Sequence, residues 1–511
     1  MDINLQKQEY YCTAVLSDKA YEQQVSADVT LPDYMPEIVR IVRCNVYPKI
    51  NSCSAVGERV TVDGVAVMTL VYSCGDGKIH SYDTSQSFVK TCEISGAEDG
   101  DCLVCGAEAG YLNCRASAAN RAEFRGSITI TVRAARKVCR ETVCDADAPG
   151  IQLKKQTISS FSGPAESTKT FSMSEVVEIP SACDSAESLI SSLFTPCGTE
   201  VKQISNKLML KGELYMRFNY ASKGNGAVRS VDSTIPVNQI IEVDGLTENS
   251  LCSVNLKVMS FDTALKENAD GDKRLIDTAV TVNAVVLYYE PIELTLINDA
   301  YSTACDVALD TERVNIVSAV ETYTERFVTK NGIDISGSGV REIFTVDCDK
   351  TSYSVTAENG AVKTAGTLKL VFTGVDGVGE IISFERAFDF ENTKLLDKLS
   401  DDAKLRADVS VGAVDFVMNS DERAEVRAEI HVSAIAETSA SADVLTDIRL
   451  NEAAPGSSHK GAHITVCFAE GGESLWDIAR KYNTTVDAIA AENAVSGDTV
   501  SEKRMLIIPG I

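Results

Sequence analysis

Sixteen cysteines are the residues of this 511-residue chain best suited to chemistry, and ten of them crowd the first 144 positions. A thiol serves as nucleophile, metal ligand or half of a disulfide, and spacing decides among these. Cys102 and Cys105 make a C-x-x-C, yet no second pair follows at zinc-ribbon spacing, and the chain holds only four histidines. Its length and its N-terminal sequence argue against a small secreted disulfide scaffold. The composition favours free thiols packed as small hydrophobes, with late oxidation into cross-links open to a protein that ends in a durable shell. His459 and His463 stand four residues apart with Cys467 close behind, but a fourth metal ligand is missing. Asp145 and Asp147 in "DADAPG" have calcium-loop spacing without the third ligand or the closing Glu, which reads as a solvated loop. No phosphate-cradling G-x-x-x-x-G-K-[ST], no G-x-S-x-G and no H-E-x-x-H occurs. The sequence therefore assigns no catalytic residue, no metal and no cofactor, and the weight falls on binding rather than catalysis.

Composition narrows what is bound. Apolar residues make up 44% and charged residues 24%, the proportions of a globular chain, and 511 residues exceed what one core usually organises. Seventy-four acidic against 48 basic residues give a formal charge of −26. That charge repels phosphate backbones and anionic lipid, so neither nucleic acid nor a membrane surface is expected as the main partner. The opening "MDINLQKQEYYCTAVLSDKAYEQQ" lacks the basic region and apolar run of a secretory signal. No segment approaches the roughly 18 consecutive apolar residues of a membrane helix. The expectation is a protein without membrane insertion that stays in the compartment where it is made.

The elements that would position a binding site emerge from internal repetition. "RVTVDGVAVMTLVYS" from Arg59 and "KLMLKGELYMRFNYA" from Lys207 each open on a basic residue, carry a glycine five residues later (Gly64, Gly212) and a tyrosine near the end (Tyr72, Tyr220), at an offset of 148 residues. "VTLP" ending at Pro32 and "VEIP" ending at Pro180 repeat that offset. A fainter third copy aligns Cys44 with Cys348 and Gly64 with Gly366. Further strand patterns begin at Arg121, Lys273 and Arg423. Period-two alternation there puts Phe124, Ile128, Ile130 and Val132 on one side, with Thr129 and Thr131 on the other. The reading is a mainly β fold of three units, 1–150, 151–300 and 301–445, each an antiparallel β-sandwich or open barrel. Long edges of this kind invite pairing with another chain.

After "NEAAPGSSHKGAH", a linker assigned to 446–462, residues 463–511 read strand, helix, helix, strand. Ser474 with Asp477 is a capping signal for the first helix, whose Leu475, Ile478, Ala479 and Tyr482 share one face. Thr485 caps a second helix in which Val486, Ile489 and Ala490 repeat the spacing. Ile464, Val466 and Phe468 are expected to join Leu506 and Ile508 around this small α+β core. Trp476, the chain's single tryptophan, is expected to pack in or near the core rather than to stack on sugar, as large aromatics chiefly do.

This last module resembles a LysM domain. The three units, with "LPDYMPEIVRIV" leading into "VTVDGVAVMTLVY", resemble the SPOCS domain of spore-coat proteins, and the domain order resembles the SipL-like coat morphogenesis family. The resemblance implies a non-enzymatic structural protein of spore-coat assembly, acting in the mother-cell cytoplasm at the forespore surface. It implies that the LysM domain contacts a SpoIVA-type coat ATPase, among other coat proteins. Sugar-binding LysM domains grip N-acetylglucosamine polymers such as peptidoglycan in a shallow groove. Carried over, one wall is Gly472, Glu473, Ser474 and Leu475, and the other Asn493, Ala494 and Val495, with backbone amides donating to acetamido groups. Gly471 and Ala494 stand where that pattern has prolines, which loosens the groove. The protein-partner reading instead gives Leu475, Trp476, Ile478 and the second wall a docking role.

Overall fold

Alternation of apolar and polar residues sets the secondary structure almost throughout the residues described by this computed structural model, which are 3–75, 77–224, 226–396, 399–451 and 464–509. A first unit contains β1 (Asn4–Thr30), β2 (Arg40–Val56), β3 (Arg59–Ser73), β4 (Ile79–Glu93), β5 (Cys102–Ala118) and β6 (Arg121–Asp147). A second repeats the order with β7 (Ile151–Glu178), β8 (Ala186–Ile204), β9 (Lys207–Ser222), β10 (Val228–Glu242), β11 (Leu251–Glu267) and β12 (Lys273–Ser302). A third follows with β13 (Asp306–Asp334), β14 (Val340–Glu358), β15 (Ala361–Asp376), β16 (Ile381–Leu395), β17 (Lys404–Ser420) and β18 (Arg423–Asn451).

In every unit the second to fourth strands form a meander, and the sixth strand pairs with both the first and the fifth to form a facing sheet. The result is an antiparallel sandwich, not a closed barrel. Phe124, Ile128, Ile130 and Val132 are each 0% exposed and pack with Val60, Val62, Met68 and Leu70 of the facing sheet. Thr129 and Thr131 between them are half-buried. Gly64 and Gly366 show why two of the repeated glycines have no side chain. A Cβ on Gly64 would lie 2.4 Å from Lys49 O and 2.4 Å from the Phe88 ring, and one on Gly366 would lie 2.4 Å from Ser352 O and 2.6 Å from Phe390. In both units the phenylalanine of the neighbouring strand covers the glycine directly opposite it.

The third copy is built on the same ladder, but its sequence alignment needs correcting. With Gly64 and Gly366 equivalent, Cys348 pairs with Leu370 as Val46 pairs with Met68, so Cys348 stands in the place of Val46 rather than of Cys44. The slip of two residues is one side-chain period of a strand, which leaves the apolar pattern unchanged. The third unit also outruns its expected end at 445. β18 continues to Asn451 because Leu445 and Ile448 are buried with Val143, Ala146, Ile297 and Ala300. The expected linker therefore begins no earlier than 452, and 452–462 lie outside the described residues, as do His459 and His463. Asp145 and Asp147 sit at the end of strand β6, not in a loop, and the Asp145 carboxylate is held 2.6 Å from Lys155 Nζ.

The three units close on one another. The far ends of β1/β6, β7/β12 and β13/β18 meet in an apolar cluster of Tyr10, Leu294, Leu296, Ile316 and Val444, with the Leu445 cluster beside it. Away from those ends, Val71, Ile79, Ile190, Ala221, Val228 and Ile381 form a second junction from all three units. A buried carboxylate joins the units in each of two places. Glu166 of the second unit lies 2.6 Å from Arg133 of the first and 3.1 Å from Arg406 of the third. Asp347 of the third accepts from Asn219 of the second at 2.9 Å and from Arg43 of the first at 3.4 Å. The facing sheets of the second and third units run on into one six-stranded sheet through the pair Phe161 and Val317.

Candidate functional site

The C-terminal module comprises β19 (Thr465–Ala469), α1 (Leu475–Lys481), α2 (Val486–Asn493) and β20 (Arg504–Ile508). Ser474 caps α1 by accepting from Asp477 N, and Thr485 caps α2 by accepting from Ala488 N at 3.1 Å. Leu475, Ile478, Ala479, Ile489, Val500, Leu506 and Ile508 are buried together with Cys467 and Ala469. Leu475 and Ile478, expected on a partner-binding face, are thus core residues, at 0% and 6% exposure.

β19 presents the opposite face from the one its sequence suggested, whereas Leu506 and Ile508 of β20 turn inward as expected. Cys467 and Leu506 pair on the inner side, while Val466 pairs with Ile507 and Phe468 with Met505 on the outer side. Ile464 and Phe468 are 71% and 75% exposed, and Val466, Met505 and Ile507 share that surface. β19 reads Thr-Val-Cys-Phe-Ala, apolar on both faces, so size pointed to Val466 and Phe468 as core. The helices instead pack on the side of the small residues, where Cys467 and Ala469 let them approach closely.

Trp476 packs against the module's core, as expected, and also docks on the end of β12 in the second unit. Its indole Nε1 donates to Asp299 Oδ2 at 2.8 Å, Arg480 donates to the same oxygen at 2.7 Å, and its ring meets Tyr301 edge-on with centroids 4.9 Å apart. Tyr301 is itself part of the module's core. Burial pushes its phenol up to about 12, and the neutral hydroxyl donates to Thr484 O at 2.7 Å. Asn483, in the left-handed region at φ 55°, turns the chain after α1 so that its amide reaches Thr303 O at 2.9 Å. Asp299 and Tyr301 were not foreseen, because a polar pair near the end of a long strand carries no motif.

The groove expected to hold sugar is largely spoken for by the module's own backbone. Gly472 N donates to Val500 O, Glu473 N to Glu470 O and Leu475 N to Asp498 O, while Val495 N and the Ala494 cap amide donate to Ala490 O. The Asn493 side chain donates to Ile507 O at 2.7 Å and accepts from Ile507 N at 2.6 Å, extending the edge of β20 as a second strand would. Gly472, Glu473 and Ala494 remain exposed, and Ser474 and Val495 half-buried. Among the described residues, no group of three His, Cys, Asp or Glu side chains is placed to hold a metal ion.

Antiparallel sandwiches followed by a βααβ module define a repeat-built, mainly β protein with a small α+β domain. Comparison with known families gives the kind. The family described as SipL, SPOCS domain matches residues 37–117 and 185–266, and the LysM domain family matches 471–509. The chain thus carries two segments similar to the SPOCS domain and one similar to the LysM domain. The two SPOCS matches coincide with β2–β5 and β8–β11, and β14–β17 repeat that strand order in the third unit. No curated protein and no solved structure matches the chain.

Proposed function

We propose that this protein is a non-enzymatic structural and interaction protein of spore-coat assembly, in which the LysM domain docks a SpoIVA-type coat ATPase at the forespore surface in the mother cell. The SPOCS and LysM matches support the class of function. The outer face of β19 and β20 supports the mode. Five apolar side chains, Ile464, Val466, Phe468, Met505 and Ile507, stand together on one side of a two-stranded sheet. Contiguous exposed apolar surface of this kind marks protein contacts in soluble domains. In this reading the three SPOCS-type units form the body that carries the LysM domain, fixed to the second unit by Trp476, and offer further surfaces to other coat proteins.

Binding of the full-length protein to a purified SpoIVA-type ATPase tests the proposal. Phe468→Asp, at an exposed position with little effect on folding, is expected to lose most of the binding. Undiminished binding by that variant overturns the assigned face. A second reading, attachment to peptidoglycan or N-acetylglucosamine oligomers, draws on the LysM match alone. Co-sedimentation of the full chain with peptidoglycan that survives Phe468→Asp but falls with Glu473→Arg would favour it.

A further inference from the structure

β2 and β5 are edge strands of the two facing sheets of the first unit, and they lie side by side where the sheets meet. Cys53 on β2 and Cys105 on β5 are joined by a disulfide with their Cα atoms 6.6 Å apart, which fixes the alignment of the two strands at that point. Nine residues back along β2 is Cys44, and nine residues forward along β5 is Cys114. Each interval contains one bulge, between Ile50 and Ser52 in β2 and between Ala109 and Tyr111 in β5, so antiparallel strands stay in step and the second pair meets as the first does. The local contacts agree. Cys44 Sγ donates to Leu112 O at 3.3 Å, and the Cys114 backbone N–H points at the Cys44 sulfur. Both thiols are half-buried, within reach of a small reagent.

We infer that Cys44 and Cys114 are a site of oxidative cross-linking, closed by a small-molecule disulfide, that fastens the two sheets of the first unit at a second point. One cysteine thiolate attacks the small disulfide, forming a mixed disulfide and releasing one thiol. The second cysteine thiolate then displaces the other half. The two protein thiols together give up two electrons and two protons, and the small disulfide is reduced to two thiols. Burial pushes the Cys114 thiol up to about 12 and raises that of Cys44, so few thiolates are present at neutral pH and closure speeds up as pH rises. The second unit holds the same edge by hydrogen bonds, Ser192 Oγ to Thr263 Oγ1 at 3.4 Å and Thr199 Oγ1 to Val254 O at 3.1 Å. The first unit has sulfur there instead, which adds a covalent state.

Incubating the folded full-length protein with oxidised glutathione across about pH 7–9.5, over which the small thiolate fraction of such thiols rises about tenfold per pH unit, and then alkylating, digesting and mapping peptides by mass spectrometry tests this. The expected result is a Cys44–Cys114 linked peptide whose yield falls as pH is lowered. In Cys44→Ser the link disappears, Cys114 is recovered alkylated or as its mixed disulfide with glutathione, and the Cys53–Cys105 peptide persists. Recovery of Cys44 and Cys114 as alkylated thiols after the oxidant, or linkage of either to a different cysteine, would overturn the inference.

Discussion

Trp476 ties the LysM domain to the rest of the chain, and because no other tryptophan exists its fluorescence reports on that contact alone. Asp299 accepts from both the indole and Arg480, and a hydrogen bond to a charged partner is worth about 1.5–3 kcal/mol. Asp299→Ala is therefore expected to shift the emission to longer wavelength and to lower the midpoint for release of the domain. Unchanged emission would mean that the indole does not rest there. His431 carries a pH effect. It is buried at the face between the second and third units, 2.6 Å from Glu429, with Arg326 on the same carboxylate and Glu213 and Cys197 nearby. Burial lowers its pKa below the ordinary 6.5, outweighing the pull of Glu429. The unfolded chain then binds a proton that the folded chain refuses, so stability is lost as pH falls below 6.5. Denaturation midpoints at neutral and mildly acid pH should separate less in His431→Gln than in the natural protein.

At the scale of elements, the strand-opposite glycine separates units that look alike in sequence. Gly64→Ala forces a Cβ against Lys49 O and Phe88, and overpacking of this kind costs about 1–3 kcal/mol. At the equivalent Gly212 the nearest atom would be 3.6 Å away. Gly212→Ala should therefore be nearly neutral or slightly stabilising by chemical denaturation, and equal losses at both positions would refute the distinction. These elements also mark what could be read in the sequence. Long alternating strands were legible because one face of each is buried, as Phe124 to Val132 show. Helix caps at Ser474 and Thr485 were legible because their chemistry is local. The five-residue β19 was not: both its faces are apolar, and only the packing of α1 and α2 decides which turns inward. The Cys44–Cys348 alignment failed for a related reason, since a two-residue slip preserves alternation. Asp299 and Tyr301 were invisible because they act on a partner nearly two hundred residues away along the chain.

At the scale of the molecule, three sandwiches share apolar junctions and carboxylates that no unit satisfies alone. Leu294, 1% exposed, lies in the junction where all three long ribbons meet, so Leu294→Ala is expected to cost about 2–5 kcal/mol and to lower the whole unfolding transition rather than split off one unit. A separate early transition in calorimetry would show that the units stand apart. The same rigid body sets the direction in which the LysM domain faces. With Trp476 held against β12, the side of the domain offered outward includes the β19 and β20 surface. Hydrogen exchange of the full-length protein, alone and with a SpoIVA-type ATPase, examines that surface most directly. New protection is expected across 464–468 and 504–508, with the amides around Gly472 and Glu473 changed less. Protection confined to the loop around Gly472, with β19 and β20 exchanging as in the free protein, would contradict it.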